Sequence, residues 1–241
     1  MMKNKRMNAL FISQLAALLF VFVSITVLAD GMVVDKVYHP YVIANEKEFE
    51  WRVMSSQTDT KNVLAQRIGY GQSIMENVAV EFYVIGERDE QGNFKLQATE
   101  VEARWMLTEQ GQYWADWGMI FEFEKQRKLN RYEATAGLVF EKEFNKNSLT
   151  LNFFAIREWG ENIENEWETE FRAQYRYRYL PEIQPSVELY TGENFIGLGP
   201  GFMGVHRFKG QKQLKWEAGF ITEISKSEKN HTLRFALEYE F

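Results

Sequence analysis

The sequence predicts an all-β chain closed into a transmembrane antiparallel up-and-down barrel of twelve strands. Three observations carry this. Within residues 166–179 one set of alternate positions is Trp167, Thr169, Phe171, Ala173, Tyr175, Tyr177 and Tyr179, and the other is Glu166, Glu168, Glu170, Arg172, Gln174, Arg176 and Arg178. Successive side chains leave a strand on opposite faces, so this is a strand's period, with one aromatic face and one charged face. A tilted strand crosses a bilayer in roughly 9–11 residues with aromatic residues at both interfaces, and Trp167 and the tyrosines stand at opposite ends of this stretch. Finally, aromatic residues make up 15% of the chain while prolines number four, a composition that suits many strands joined by tight turns. The alternative that the same alternation allows is a soluble sandwich or barrel with its aromatic face in a core.

The first segment carries Lys3, Lys5 and Arg6, an apolar run over residues 9–28, and Val27-Leu28-Ala29 before Asp30. This order is that of a secretory signal cut after Ala29, and a retained transmembrane helix is the competing reading. Cleavage leaves 212 residues (241 less 29), enough for one closed barrel, and moves the net charge from −6 to −9. So acidic a chain is a poor match to nucleic acid. There is no cysteine, which removes disulfides and thiolate metal sites.

Residues 30–45 show no sustained alternation and are expected to be a periplasmic lead-in to a barrel of residues 46–241. Strand one, residues 46–54, turns Phe49, Trp51 and Val53 outward and Glu48, Glu50 and Arg52 inward. Residues 63–71 place Leu64, Ile68 and Tyr70 outward, and residues 78–85 place Glu81 inward. Residues 96–107 oppose Val101, Ala103, Trp105 and Leu107 to Glu100, Glu102 and Arg104; residues 113–124 oppose Tyr113, Trp117, Phe121 and Phe123 to Asp116, Glu122 and Glu124. Residues 132–144 have Glu133, Thr135, Gly137 and Glu141 inward, and Asn145-Lys146-Asn147 reads as a hairpin turn. Residues 149–159 and 166–179 are strands seven and eight, and Pro181 and Pro185 bracket the next turn. Residues 186–191 form the ninth strand. Residues 197–208 form a glycine-rich tenth whose facing the pattern leaves open. Residues 214–224 form the eleventh, with Lys215, Glu217 and Glu223 inward.

The last strand, residues 232–241, has Leu233, Phe235, Leu237, Tyr239 and Phe241 on one face and Arg234, Glu238 and Glu240 on the other. A terminal Phe on such a strand, in a chain that opens with a signal sequence, resembles the assembly signal of Gram-negative outer-membrane β-barrel proteins. That resemblance implies outer-membrane lipid and the barrel-assembly machinery as partners, with Tyr239 and Phe241 as the signal, and export to the outer membrane. An even strand count puts both barrel termini on the periplasmic side. The connections that face outward are short, the longest about seven residues, which disfavours a surface receptor.

The inward residues Glu48, Glu50, Arg52, Glu81, Glu100, Glu102, Arg104, Asp116, Glu122, Glu124, Glu168, Glu170, Arg172, Arg176, Arg178, Glu217, Arg234 and Glu238 are the candidate lumen lining. Carboxylate pairs such as Glu100/Glu102 are separated by about 6.5–7 Å, but alternation produces that spacing on every strand, so a glycosidase couple is not implied. The three histidines, His39, His206 and His231, have no metal-ligand spacing, and neither metal nor cofactor is expected. Barrel closure would bring His231 near Ser55, Ser56 and Asp59, the one conceivable hydrolase triad. Twelve strands lie between a barrel filled by side chains and an open porin. The reading is therefore a narrow pore or small-solute channel, with an excess of carboxylates that favours small polar or cationic solutes. A non-conducting structural or assembly-accessory barrel and an outer-membrane lipid hydrolase are the alternatives. If the lumen is instead closed, its charges pair with one another, and Arg172, Arg176 and Arg178 face the seam carboxylates Glu48, Glu50, Glu238 and Glu240 across it.

Overall fold

A computed structural model describes residues 33–57, 62–88, 92–127, 130–161, 163–225 and 230–241. The candidate signal, residues 1–29, and Asp59 lie outside them. The strands are β1 (Lys47–Gln57), β2 (Asn62–Met75), β3 (Val78–Arg88), β4 (Phe94–Met106), β5 (Asp116–Gln126), β6 (Arg131–Phe144), β7 (Asn147–Gly160), β8 (Glu166–Tyr177), β9 (Gln184–Gly192), β10 (Phe195–Arg207), β11 (Gln213–Glu223) and β12 (His231–Glu240). Each pairs antiparallel with its sequence neighbours, and β1 pairs with β12 from Glu48↔Glu240 to Gln57↔His231, which closes the barrel. Closure satisfies the ladder groups of every strand, which hydrocarbon demands because it offers no hydrogen bonds.

The alternation sorts side chains in space. Phe49, Ile68, Phe82, Phe153 and Trp167 are at least half exposed on the outer wall, while Glu50, Glu102, Glu141 and Arg52 are almost wholly enclosed. An apolar band of this extent around a closed sheet is a lipid-facing surface and not a wetted one. On β10, whose facing the sequence leaves open, Ile196, Leu198 and Phe202 point out and Gly201 and Met203 point in. A Cβ at Gly201 would stand 2.3 Å from the Glu188 carboxylate, so any larger residue there would have to displace Glu188 from its place beside Arg234.

Several strand ends differ from the pattern: β1, β2 and β3 run on to Gln57, Met75 and Arg88, while β5 starts late and β8 stops early. β5 begins at Asp116 and not at Tyr113, because the Gly111 N–H donates to the Asp116 carboxylate (2.8 Å) and the Trp117 N–H to the Thr108 hydroxyl (2.8 Å), so side chains shape a turn there. Gly111, at φ +72°, supplies the left-handed residue. β8 ends at Tyr177, and Leu180 and Ile183 bridge across Pro181.

The main correction concerns the residues ahead of β1. Residues 33–43 are not a lead-in outside the barrel; they run through its interior, with Val34, Asp35, Lys36, Val37 and Tyr38 all buried. Val33 lies against Gly192 at the end of β9, Pro40 against Gly118 on β5, and the Ile43 carbonyl accepts from the Ser73 hydroxyl (2.5 Å) at the foot of β2. The segment thus descends from the outer mouth to the periplasmic mouth, about 35 Å if extended, which matches the hydrocarbon thickness. A turn at Ala44 and Asn45, the latter at φ 63°, then sends the chain up into β1.

The cysteine-free sequence makes this path measurable. A single Val33→Cys variant in intact cells should react with a membrane-impermeant thiol reagent, and Ile43→Cys should react only once the periplasm is opened. The reverse pattern would overturn the direction in which the segment is threaded.

Candidate functional site

The site is the lumen and the segment inside it. Of the residues that the sequence places inward, Glu48, Glu50, Arg52, Glu81, Glu100, Glu102, Asp116, Arg172, Glu217, Arg234 and Glu238 are buried. Arg104, Glu122, Glu124, Glu168, Glu170 and Arg176 are half-buried on the same rows. Arg178 sits past the end of β8, at the periplasmic rim, where it pairs with Glu143 (2.7 Å).

Many of the wall's charges are paired within the wall. Arg234 lies between Glu188 (2.8 Å from Nε) and Glu217 (2.8 Å), Arg176 holds Glu141 (3.0 Å), and Arg67 grips Glu100 through two bonds of 3.2 and 2.8 Å. Arg104 bridges Glu48 and Glu81. The strand-eight arginines therefore do not reach across to the seam carboxylates. Arg176 stays with its neighbours on β6, and the gap between Arg172 and the seam is filled by the segment: the Arg172 guanidinium donates to the Lys36 carbonyl (2.8 Å), and the Lys36 ammonium donates to Glu238 (2.8 Å) and Glu50 (3.3 Å).

The segment's other polar groups are matched in the same way. Asp35 accepts from Arg52 (2.8 Å) and lies 3.4 Å from Arg67, and its carbonyl accepts from the Tyr190 hydroxyl (3.0 Å). The Tyr38 hydroxyl lies between Glu102 (2.9 Å) and Glu122 (3.0 Å), His39 meets Glu141 at 2.6 Å, and the Tyr41 hydroxyl donates to Asp116 (3.0 Å). The Tyr38 N–H donates to the Asn152 side-chain oxygen (2.7 Å), and the Asn152 amide donates back to the Tyr38 carbonyl (2.9 Å). Apolar contacts complete the fit. Tyr38 packs with Ile120, Val139, Phe154 and Ile156; Val34 and Val37 pack with Tyr190 and Ile221. A cavity of about 50 Å³ remains at the periplasmic end, beside Tyr41, Glu46 and Arg104.

Two carboxylate trios, Glu46/Glu48/Glu240 and Glu100/Glu102/Glu122, have oxygens close enough to share a cation. Protein groups already serve them: Arg104 and Lys215 in the first, Arg67 and the Tyr38 hydroxyl in the second. His231 is not assembled with the rim serines: its ring lies against Phe220 on the outer face and its Nδ1 has no hydrogen-bond partner among the described residues, while Ser56 bonds Asn230 (3.3 Å). His206 packs against Phe208.

Arg67, Asn152, Tyr190 and Tyr83, whose hydroxyl donates to Glu50 (2.8 Å), are site residues that the lining expected from the alternation does not include. The period could have found Arg67, which is next to outward Ile68 and so inward. Tyr83 and Tyr190 are aromatic residues on inward rows, where the simple division into apolar outside and charged inside hides them. Nothing periodic marks Asp35, Lys36 or Tyr38.

No family model matches the chain, and no curated protein matches it. Among solved structures it is similar to the KdgM porin, at TM-score 0.53 and 12% identity over 80% of this chain and 99% of that one. It is also similar to the KdgM porin in complex with disordered oligogalacturonate, at TM-score 0.55 and 11% identity over the same shares. At such identity the likeness is one of fold: the chain has the architecture of an outer-membrane β-barrel.

Removing one partner of an enclosed ion pair costs about 3–5 kcal/mol because the other charge is left unmatched. Arg234→Leu strands both Glu188 and Glu217 and should lose about that much in denaturant unfolding from lipid vesicles. Arg176→Leu should cost less, since Glu141 keeps His39. Equal losses would show that the segment does not share in balancing the wall.

Proposed function

We propose that the chain is a small-solute channel of the outer membrane, held shut in this structure by residues 33–43. One observation carries the reading: what fills the bore is a separate, non-strand segment, while the wall behind it is lined with ionic side chains that water can solvate once the segment leaves. The porin-like fold supports it. The net excess of carboxylates on the wall favours cations in an open state. Export through a cleaved signal, residues 1–29, is part of the same proposal, as is the absence of hydrolytic chemistry at His231. A second reading, a permanently closed structural barrel, is favoured by the apolar anchoring of Val34, Val37 and Tyr38.

Planar-bilayer recording separates the two. The full chain should be silent or open rarely, and Asp35→Asn, which weakens the grip of Arg52 and Arg67, should raise open probability at least tenfold with a preference for cations. Silence of the variant across a range of salt would leave the structural barrel standing, and anion preference would refute the assignment of wall charge.

Recognition by the assembly machinery is proposed through the C-terminal face. Phe241 stacks on Phe49 (5.7 Å) and Tyr239 (5.7 Å) at the seam, and its backbone pairs with Lys47. Deleting Phe241 should lower outer-membrane abundance several-fold while refolding in detergent is little changed. Normal abundance of the truncated chain would refute it.

A further inference from the structure

The contacts to residues 33–43 are of two kinds, and their arrangement distinguishes a filling from a ligand. Above the Ser73 contact at the segment's lower end, three wall residues among those described address its main chain: Asn152, Arg172 and Tyr190. They stand on consecutive strands β7, β8 and β9 and form one row, with Asn152 directly opposite Arg172 and Arg172 directly opposite Tyr190. Between them they take the carbonyls of Asp35 and Lys36 and both the N–H and the carbonyl of Tyr38. A carboxamide that meets an N–H and a C=O of one residue is matched to a peptide in extended conformation, because its donor and acceptor have the spacing of the peptide's own acceptor and donor.

A second set reads side chains in order. Arg52 and Arg67 are cross-strand partners between β1 and β2, a placement that repels unless an anion lies between them. Asp35 is that anion. Glu50 and Glu238 on the adjoining seam strands take the ammonium of Lys36 next to it. Tyr190 and Ile221 then cover Val37, and Glu102 and Glu122 receive the hydroxyl of Tyr38.

From this arrangement we propose that the lumen is a binding site for an extended peptide with the order acidic, basic, apolar, aromatic, and that residues 33–43 occupy it as a built-in ligand. The proposal rests on the channel reading only in taking the segment to be displaceable. It names peptides as the solute class that competes for the bore. A ligand in the same chain has a local concentration in the millimolar range, so a free peptide must be compared with the segment weakened or detached.

The test uses the full chain and a fluorescent synthetic peptide of residues 33–43, Val-Val-Asp-Lys-Val-Tyr-His-Pro-Tyr-Val-Ile, followed by anisotropy in detergent. In one form the chain carries Asp35→Ala and Tyr38→Ala. In the other a protease site inserted between Ala44 and Asn45 is cut after folding, so that all native contacts are kept should the double variant fail to fold. The cut segment should stay with the barrel through gel filtration and exchange with the labelled peptide. Adding Asn152→Ala should weaken labelled-peptide binding at least tenfold, and so should exchanging Asp and Lys within the peptide. Immediate loss of the cut segment, or equal binding of the exchanged peptide, would overturn the proposal. Binding without conductance would refute the channel and leave the peptide site standing.

Discussion

Charge enclosed by a closed sheet must find its counter-charge inside the same wall, and the rest of this molecule follows from that. Closure by β1 and β12 answers the backbone's needs in hydrocarbon, but it also seals a ring of carboxylates and guanidiniums away from bulk water. Neighbouring strands balance part of that ring, as at Arg234 with Glu188 and Glu217. Around the seam the balance is only partial: Glu50 binds Arg52, Glu100 binds Arg67 and Lys215 binds Glu238, yet Arg52 still faces Arg67 and Glu50 still faces Glu238 across neighbouring strands. Asp35 and Lys36, adjacent in sequence and opposite in sign, complete it with two consecutive residues.

The same constraint explains why the segment holds an extended path. A peptide inside a polar tube meets donors and acceptors on every side, so its N–H and C=O groups need no partner strand; Asn152, Arg172 and Tyr190 serve them. Pro40, which has no N–H, falls where the chain passes the close wall of Gly118.

Legibility in the sequence divides along physical lines. Each strand has one face in lipid and one in the lumen, and that asymmetry is written into the chain as a period of two. The strands, their order and the inward position of residues such as Glu102 and Arg234 can therefore be read directly. β10 was opaque because glycines stand on both of its faces, and at Gly201 the reason is steric room for Glu188. Residues 33–43 were illegible for the opposite reason: a segment enclosed on all sides has no inside and outside, so Val34, Asp35, Lys36, Val37 and Tyr38 follow no period. Charged residues set between buried valines in a stretch without alternation are the one local hint that it is neither strand nor solvated tail.

The reversal at Ala44 and Asn45 has a mechanical consequence. It fastens the lower end of the threaded segment to β1, so the segment is an axle passed through a ring and held from below by the chain itself. It can leave the bore in a single direction, by being drawn downward with its upper end following through the full height of the ring. Any folded body or bulky adduct ahead of Val33 would then act as a stopper, locking the axle in place without touching a single contact along its length.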